Sequence, residues 1–283
     1  MKLSVVLPAK NEAVGLQRVL PELVRILPDA EIIVVDDGSD DDTALVAAKY
    51  GARVLSSPYS MGNGAAIKRG VRAAEGDLII FMDADGQHDP NCIPTLLERI
   101  RQGYDMAVGA RSADGQANWG RGIANRLYNA LASWMTNQRV DDLTSGFRAV
   151  RADRFKEFVH LLPNGFSYPT TITMAFFRSA YSVAYVPVPV QKRVGTTSHI
   201  RPVKDGIRFL LIIFKIATLY SPLKLFLPTA LGFILLGGGY YVLTFSISGR
   251  FTNMSALLLS AGVIIFLIGL ISEQITALTY RKD

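Results

Sequence analysis

The chain has 283 residues, of which 49% are hydrophobic and 19% charged, with a formal net charge of +6 and a single cysteine. One cysteine excludes an intramolecular disulfide and fits a domain kept in a reducing compartment. The length allows one ordinary domain plus an appendage. The apolar excess falls after about residue 207, and the basic balance points to nucleic acid, anionic lipid or a phosphorylated substrate.

In chain order, residues 3–7, 31–35, 53–55, 78–82 and 106–109 are short apolar runs that predict buried strands. Between them, 12–26, 41–50, 65–74 and 93–101 carry helical periodicity. Such alternation predicts an α/β domain built on a mostly parallel sheet, with ligands beyond the carboxyl ends of the strands. The first apolar run is too short for a signal peptide, so this domain is not expected to be exported.

The acidic motifs fall at that rim. Asp83-Ala84-Asp85 follows the strand at 78–82. Paired carboxylates suit a hard divalent cation that also holds substrate phosphates, and Gln87 offers a third oxygen. His88 reads as a neighbour that packs or hydrogen-bonds rather than as a ligand. Pro8-Ala9-Lys10-Asn11-Glu12 follows the first strand, and Val35-Asp36-Asp37-Gly38-Ser39 closes the second. Their carboxylates can accept from ribose hydroxyls or base N–H groups, while Asn11 and Ser39 or Asp40 also suit helix caps. In Met61-Gly62-Asn63-Gly64-Ala65-Ala66, small residues would let N–H groups at a helix N-terminus approach an anion.

In the segment 115–135, Ile123, Leu127, Ala130, Leu131 and Trp134 share one helical face, and Arg121, Asn125 and Asn129 another. Two readings stand: a helix packed on the core, or one lying at a membrane surface with Trp119 and Trp134 at headgroup depth. From 201 to 219, Arg201, Lys204, Arg208 and Lys215 form a stripe roughly 60° wide on an apolar helix, as expected at an anionic bilayer surface. Residues 225–245 and about 255–278 are each long enough for a span of about 20 residues. They predict a hairpin whose glycines, Gly237-Gly238-Gly239, Gly262 and Gly269, permit close helix contact and hint at self-association. Lys224, Arg281 and Lys282 flank the outer ends and Arg250 alone lies in the connector, which puts both termini and the catalytic domain in the cytoplasm.

Taken together, Leu7-Pro8-Ala9-Lys10-Asn11-Glu12, residues 34–43, Gly62-Asn63-Gly64-Ala65-Ala66, Asp83-Ala84-Asp85-Gly86-Gln87-His88, Val108-Gly109-Ala110-Arg111 and Thr144-Ser145-Gly146-Phe147-Arg148 resemble family 2 glycosyltransferases of GT-A fold. Within that family they resemble the polyprenyl-phosphate sugar transferases, the group of dolichol-phosphate mannose synthase. The resemblance covers about residues 1–220 and implies three parts: a GT-A domain over 1–200, an interfacial helix over 201–222 and a transmembrane hairpin over 223–283. It implies an inverting, metal-dependent transfer of one sugar from a UDP- or GDP-linked donor to a membrane polyprenyl phosphate. The nucleotide sugar would lie against Pro8, Ala9, Asn11, Glu12, Val35, Asp37, Gly62, Asn63, Asp83, Ala84, Asp85 and Arg193. Asp83, Asp85 and Gln87 would hold Mg²⁺ or Mn²⁺. Arg111, Arg121, Ser145 and Arg148 would receive the acceptor phosphate, with Asp85, Arg111, Ser145 and Arg148 serving catalysis, and arginines so placed account for the basic balance without nucleic acid. Family members often carry Lys where this chain has Asn63. The Gln-x-x-Arg-Trp motif of processive synthases is absent, which favours a single transfer. Transfer to a sugar or lipid hydroxyl is the alternative, with Asp114, Asp141 or Asp142 as base.

Overall fold

The computed structural model describes residues 1–111, 119–165, 167–189, 211, 214–215 and 218–280, with the backbone alone for 119–125. Arg193, Asp114, the side chain of Arg121 and most of the basic stripe at 201–219 lie outside the described residues. The chain divides into two units, Met1–Gly206 and Ile207–Asp283.

The first unit follows the expected alternation: β1 (Leu3–Ala9), α1 (Ala13–Ile26), β2 (Glu31–Asp36), α2 (Thr43–Lys49), β3 (Arg53–Ser56), α3 (Asn63–Ala73), β4 (Leu78–Phe81), α4 (Ile93–Arg101) and β5 (Met106–Arg111). There follow α5 (Trp119–Thr136), β6 (Arg148–Arg151), α6 (Ala152–Lys156), α7 (Tyr168–Arg178) and β7 (Val183–Val188). The seven strands run in the order β3-β2-β1-β4-β6-β5-β7. Strand β6 is antiparallel to both β4 and β5, so it separates two strands that the apolar pattern alone would set side by side. Its four residues include two arginines, too short and too polar a run to be seen as a strand. Strand β7 contains Pro187, which a sheet tolerates only where no ladder hydrogen bond is needed, and β7 is an edge strand.

Val5, Val6, Leu7, Ile33, Val34, Val35, Ile79, Ile80 and Phe81 are fully buried at the sheet's centre. Burial on both faces explains their continuous apolar runs. Gly70 brings α3 onto this sheet, since a Cβ there would meet Val6 Cγ1 at 2.3 Å.

Helix α5 rotates relative to the packed-helix reading. Tyr128, Ala132 and Met135 are buried, whereas Leu127 and Trp134 are 49% and 50% exposed. The apolar face picked out in the sequence therefore faces outward.

The second unit is a hairpin of α8 (Pro222–Ser248) and α9 (Asn253–Thr279), each of 27 residues and long and apolar enough to cross a membrane. The helices extend beyond the expected spans and leave a connector of four residues. Gly249 closes α8 in the left-handed region, and the Thr252 hydroxyl accepts from Ser255 N to cap α9. Of the glycines, Gly237, Gly262 and Gly269 are at the helix contact, where a Cβ would meet the opposite helix within 3.0 Å. Gly238 and Gly239 face open space and take no part in it. At the other end, Ser221 Oγ and Leu223 N donate to the Glu273 carboxylate at 2.8 and 3.2 Å, and Thr276 Oγ1 donates to Thr218 O at 2.8 Å. Helix α9 thereby satisfies donors at the first turn of α8 that have no partner within that helix.

Candidate active site

The carboxyl ends of β2, β1 and β4 adjoin one another, and their loops enclose a cleft of about 420 Å³. It is lined by Pro8, Ala9, Lys10 and Glu12 after β1, by Asp37 after β2, by Ser60, Gly62, Asn63 and Ala66 around the start of α3, and by Asp83, Ala84 and Asp85 after β4. A larger hollow of about 790 Å³ sits by the amino end of β1, around Met1, Leu3 and Arg151, far from the acidic motifs. Ligands of parallel sheets bind at the carboxyl rim, which makes the smaller cleft the candidate site.

Each loop is held by side chains that the chain order keeps apart. Asp37 accepts from Ser60 Oγ, Met61 N and Gly62 N at 2.7, 2.7 and 2.9 Å, which ties the loop before α3 to the end of β2. Asn11, in the left-handed region at φ 55°, receives Asp40 N on its side chain and donates its own N–H to Ser39 Oγ. Asn11, Ser39 and Asp40 therefore join two rim loops instead of capping helices, and Asn11 does not line the cleft. Asp41 takes over at α1, accepting Ala13 N at 3.2 Å. Burial pulls its pKa upward, but hydrogen bonds from Thr43 and Ala13 outweigh this and hold the carboxyl below its ordinary value.

Two expectations change here. Val35 is a fully buried strand residue and presents no surface to a nucleoside. The small residues at Gly62–Ala66 serve a close chain crossing rather than an anion. Gly64 N and Ala65 N donate to Gly165 O and Asn164 O at 3.2 and 2.9 Å. A Cβ on Gly64 would stand 2.0 Å from Pro163 O.

Asp83 and Asp85 flank the buried Ala84. Gln87 N donates to Asp85 Oδ1 at 3.1 Å, while the Gln87 side chain does not line the cleft. Gly146 abuts Asp83: a Cβ there would meet its two carboxylate oxygens at 3.0 and 3.2 Å. His88 stacks on Phe147 with centroids 5.0 Å apart, and its Nε2 is 3.8 Å from Asp83 Oδ2. Burial pushes the His88 pKa down to about 4, so the imidazole is neutral at pH 7 and packs, as expected. Among the described residues no three His, Cys, Asp or Glu side chains converge as a complete metal shell. Two carboxylates beside a cleft fit a hard cation that completes its shell with ligand oxygens. The charges agree: among the described residues of the lining, four carboxylates, Glu12, Asp37, Asp83 and Asp85, stand with one cation, Lys10, a balance that would repel a bare diphosphate.

The segment expected to receive the acceptor is organised differently from that expectation. Asp142 accepts Arg111 Nε and Nη2 at 2.7 and 3.0 Å, and also Thr144 N and Ser145 N at 3.1 Å. Burial raises the Asp142 pKa, but the Arg111 fork and these N–H groups outweigh it and hold the carboxyl low. The Arg111 fork is thus occupied by Asp142. Arg148 is 0% exposed. It lies beneath the loop, donating to Ser145 O and, at 3.2 Å, to Thr173 Oγ1, with its guanidinium 5.9 Å from the Tyr168 ring centroid. Tyr168 donates to Gly146 O at 3.0 Å. Ser145 is itself buried. Direct contact of Ser145 or Arg148 with an acceptor is therefore corrected to support of the Ser145–Gly146 turn that borders Asp83.

Of the residues expected against the donor, the fold gathers Pro8, Ala9, Glu12, Asp37, Gly62, Asn63, Asp83, Ala84 and Asp85 around one cleft. It adds Lys10, Ser60 and Ala66. Gly15 was also missed, although an isolated glycine within a helical pattern is the signal for a close backbone approach. A Cβ on Gly15 would stand 2.1 Å from Ala84 O.

Comparison with known proteins agrees with this architecture. The chain is 32% identical over 197 residues to a dolichyl-phosphate hexose transferase of Haloferax volcanii, covering 69% of this chain and 85% of the relative. It is 34% identical over 180 residues to a dolichol-phosphate mannosyltransferase of Pyrococcus furiosus, covering 59% of this chain and 50% of that protein. It thus spans about half the length of that second relative. Glucosyl-3-phosphoglycerate synthase from Mycobacterium tuberculosis, solved with Mn²⁺ and UDP-glucose, superposes with a TM-score of 0.61 at 24% identity, over 76% of this chain and 78% of that one. That likeness is one of fold, GT-A. The GtrB C-terminal hairpin profile matches residues 221–278, the two apolar helices. The Glycosyl transferase family 2 profile matches residues 4–159, and the chain belongs to that family of glycosyltransferases.

Proposed function

We propose that the chain moves one sugar from a UDP- or GDP-linked donor to a polyprenyl phosphate at the cytoplasmic face of a membrane, with inversion at the anomeric carbon. The observation that carries this reading is the carboxylate-lined cleft at the sheet's rim in a chain that also has an apolar hairpin. The names of the relatives, transferases that act with dolichyl phosphate, support it. The outward face of α5 around Leu127 and Trp134 suits a membrane surface. The lysine and arginine count at the hairpin's ends favours a cytoplasmic catalytic unit.

In this reading Glu12 and Asp37 mark the nucleoside end of the cleft. Asp83 and Asp85 would hold Mg²⁺ or Mn²⁺, which when bound offsets the negative charge that develops on the departing diphosphate. A lipid phosphate monoester has a second pKa of about 6 and is ionised at pH 7, so the acceptor needs no strong base. The side chains agree. Asp142 is committed to Arg111, Asp141 pairs with Arg139 at 2.6 Å, and His88 is buried and neutral. Of the bases considered for a hydroxyl acceptor, Asp142 and Asp141 are thus paired, and Asp114 lies outside the described residues. Holding both reactants at one rim removes much of the entropic barrier.

The test is transfer by the full chain in membranes, with UDP- and GDP-sugars, undecaprenyl or dolichyl phosphate, and added Mg²⁺ or Mn²⁺ or EDTA. The expected result is a lipid-linked sugar that requires both polyprenyl phosphate and metal. Asp85→Asn should remove it without altering the thermal transition. Product formation independent of polyprenyl phosphate would sink the acceptor reading. Full activity of Asp85→Asn would sink the metal site.

A further inference from the structure

Among the described residues, twelve line the cleft, and Lys10 is the one cation of these, beside four carboxylates. Its ammonium makes no hydrogen bond or ion pair with any described residue. A lysine amid that much negative charge ordinarily pairs with it, but two of the four carboxylates are already engaged by other donors. Asp37 is engaged by Ser60, Met61 and Gly62, and Asp85 accepts Gln87 N.

The place of Lys10 on the sheet is equally telling. Strand β1 lies between β2 and β4, and Asp37 N donates to Ala9 O at 2.9 Å across the rim. Lys10 therefore follows the central strand, with Asp37 on one side and Asp83-Ala84-Asp85 on the other. Any ligand that spans from Asp37 to the paired carboxylates must cross the end of β1. For a nucleotide sugar, the part that crosses is the diphosphate. Of the two described arginines that feel Asp83, Arg111 has Nε and Nη2 on Asp142 and Arg148 is buried, so among the described residues Lys10 is the cation of the cleft lining placed to meet those oxygens.

We propose that Lys10 is a donor-binding residue that takes an oxygen of the nucleotide's diphosphate from the β1 side, opposite the metal-holding carboxylates. This rests on the nucleotide-sugar reading of the cleft. A flexible stem and three rotatable donors let one lysine follow phosphate oxygens without fixed geometry. Its charge also offsets part of the repulsion that Glu12 and Asp37 exert on the donor.

The experiment is calorimetric binding to the full chain in detergent with Mn²⁺, comparing UDP and GDP with uridine and guanosine, for wild type, Lys10→Met and Lys10→Arg. Thermal melts check that each variant folds. The expected result is a loss of about tenfold in diphosphate affinity for Lys10→Met. Nucleoside affinity should be unchanged, and Lys10→Arg should retain most of the diphosphate affinity. Equal diphosphate affinity in wild type and Lys10→Met would overturn the proposal. So would equal losses for nucleoside and nucleoside diphosphate, which would assign Lys10 to the base. Failure of the wild type itself to bind either diphosphate would overturn the donor reading, and the Lys10 role with it.

Discussion

Gly15 and Ala84 touch through their backbones: a Cβ added to Gly15 would stand 2.1 Å from the Ala84 carbonyl oxygen and 3.0 Å from Asp85 Cα. Helix α1 thus bears directly on the turn that carries the paired carboxylates, while Glu12, just before it, lines the same cleft.

That contact makes Gly15→Ala diagnostic. In an ordinary helix interior the change stabilises by about 0.5–1 kcal/mol. Here the methyl must displace Ala84 and Asp85, and misplacement by about 1 Å can cost on the order of a hundredfold in rate. The expected outcome is a fall of about tenfold or more in kcat/KM with no gain in Tm. A more stable, fully active Gly15→Ala protein would show that the helix yields freely.

Asp142→Asn removes one partner of a buried, bidentate pair. Breaking such a pair costs about 3–5 kcal/mol, because the remaining charge loses its partner. The pH dependence follows from the sign of the shift. The Asp142 carboxyl is held below its ordinary value in the fold, so its contribution is fully present above the unfolded value of about 3.9. It is lost as the pH falls through the lower folded value. Melts from neutral to acid pH should show Asp142→Asn less stable at neutrality and with a shallower acid decline than wild type.

Arg148→Met should lower stability and activity together. The methionine fills space but leaves Ser145 O and Thr173 Oγ1 without their donor. Each buried group so stranded costs about 1–3 kcal/mol. The Ser145–Gly146 turn would then relax away from Asp83. Arg148→Lys, which keeps the charge but not the fork, should recover only part of the loss. Denaturant titration paired with steady-state rates checks both; an unchanged rate in a destabilised Arg148→Met protein would separate the turn from catalysis.

Glu273→Leu tests the hairpin. Ser221 Oγ and Leu223 N lose their acceptor, at a cost of about 1–3 kcal/mol. The expected result is a lower thermal transition in detergent, with Glu273→Gln retaining most of the stability because its amide oxygen still accepts.

The broad plan was legible in the chain. Apolar runs of strand length alternate with helical periods because both faces of the central sheet are buried, and that pattern is local. The placement of Asp83-Ala84-Asp85 after a buried strand and the length of two uncharged apolar segments are local in the same way. They were sufficient for the α/β class, the acidic rim and the hairpin.

What the tertiary structure decided is which polar group meets which. Strand β6 enters antiparallel between β4 and β5 although its four residues carry two arginines, because Arg148 finds its acceptors in Ser145 and in Thr173 on α7. Gly64 and Ala65 look like an anion cradle until residues 164 and 165, a hundred positions on, arrive to take their N–H groups. Arg111 looks free for a phosphate until Asp142, 31 residues away, closes on it. Backbone periodicity and apolar length are written in neighbouring residues. The satisfaction of a buried donor or charge depends on a partner brought by folding, and no short stretch of sequence records it.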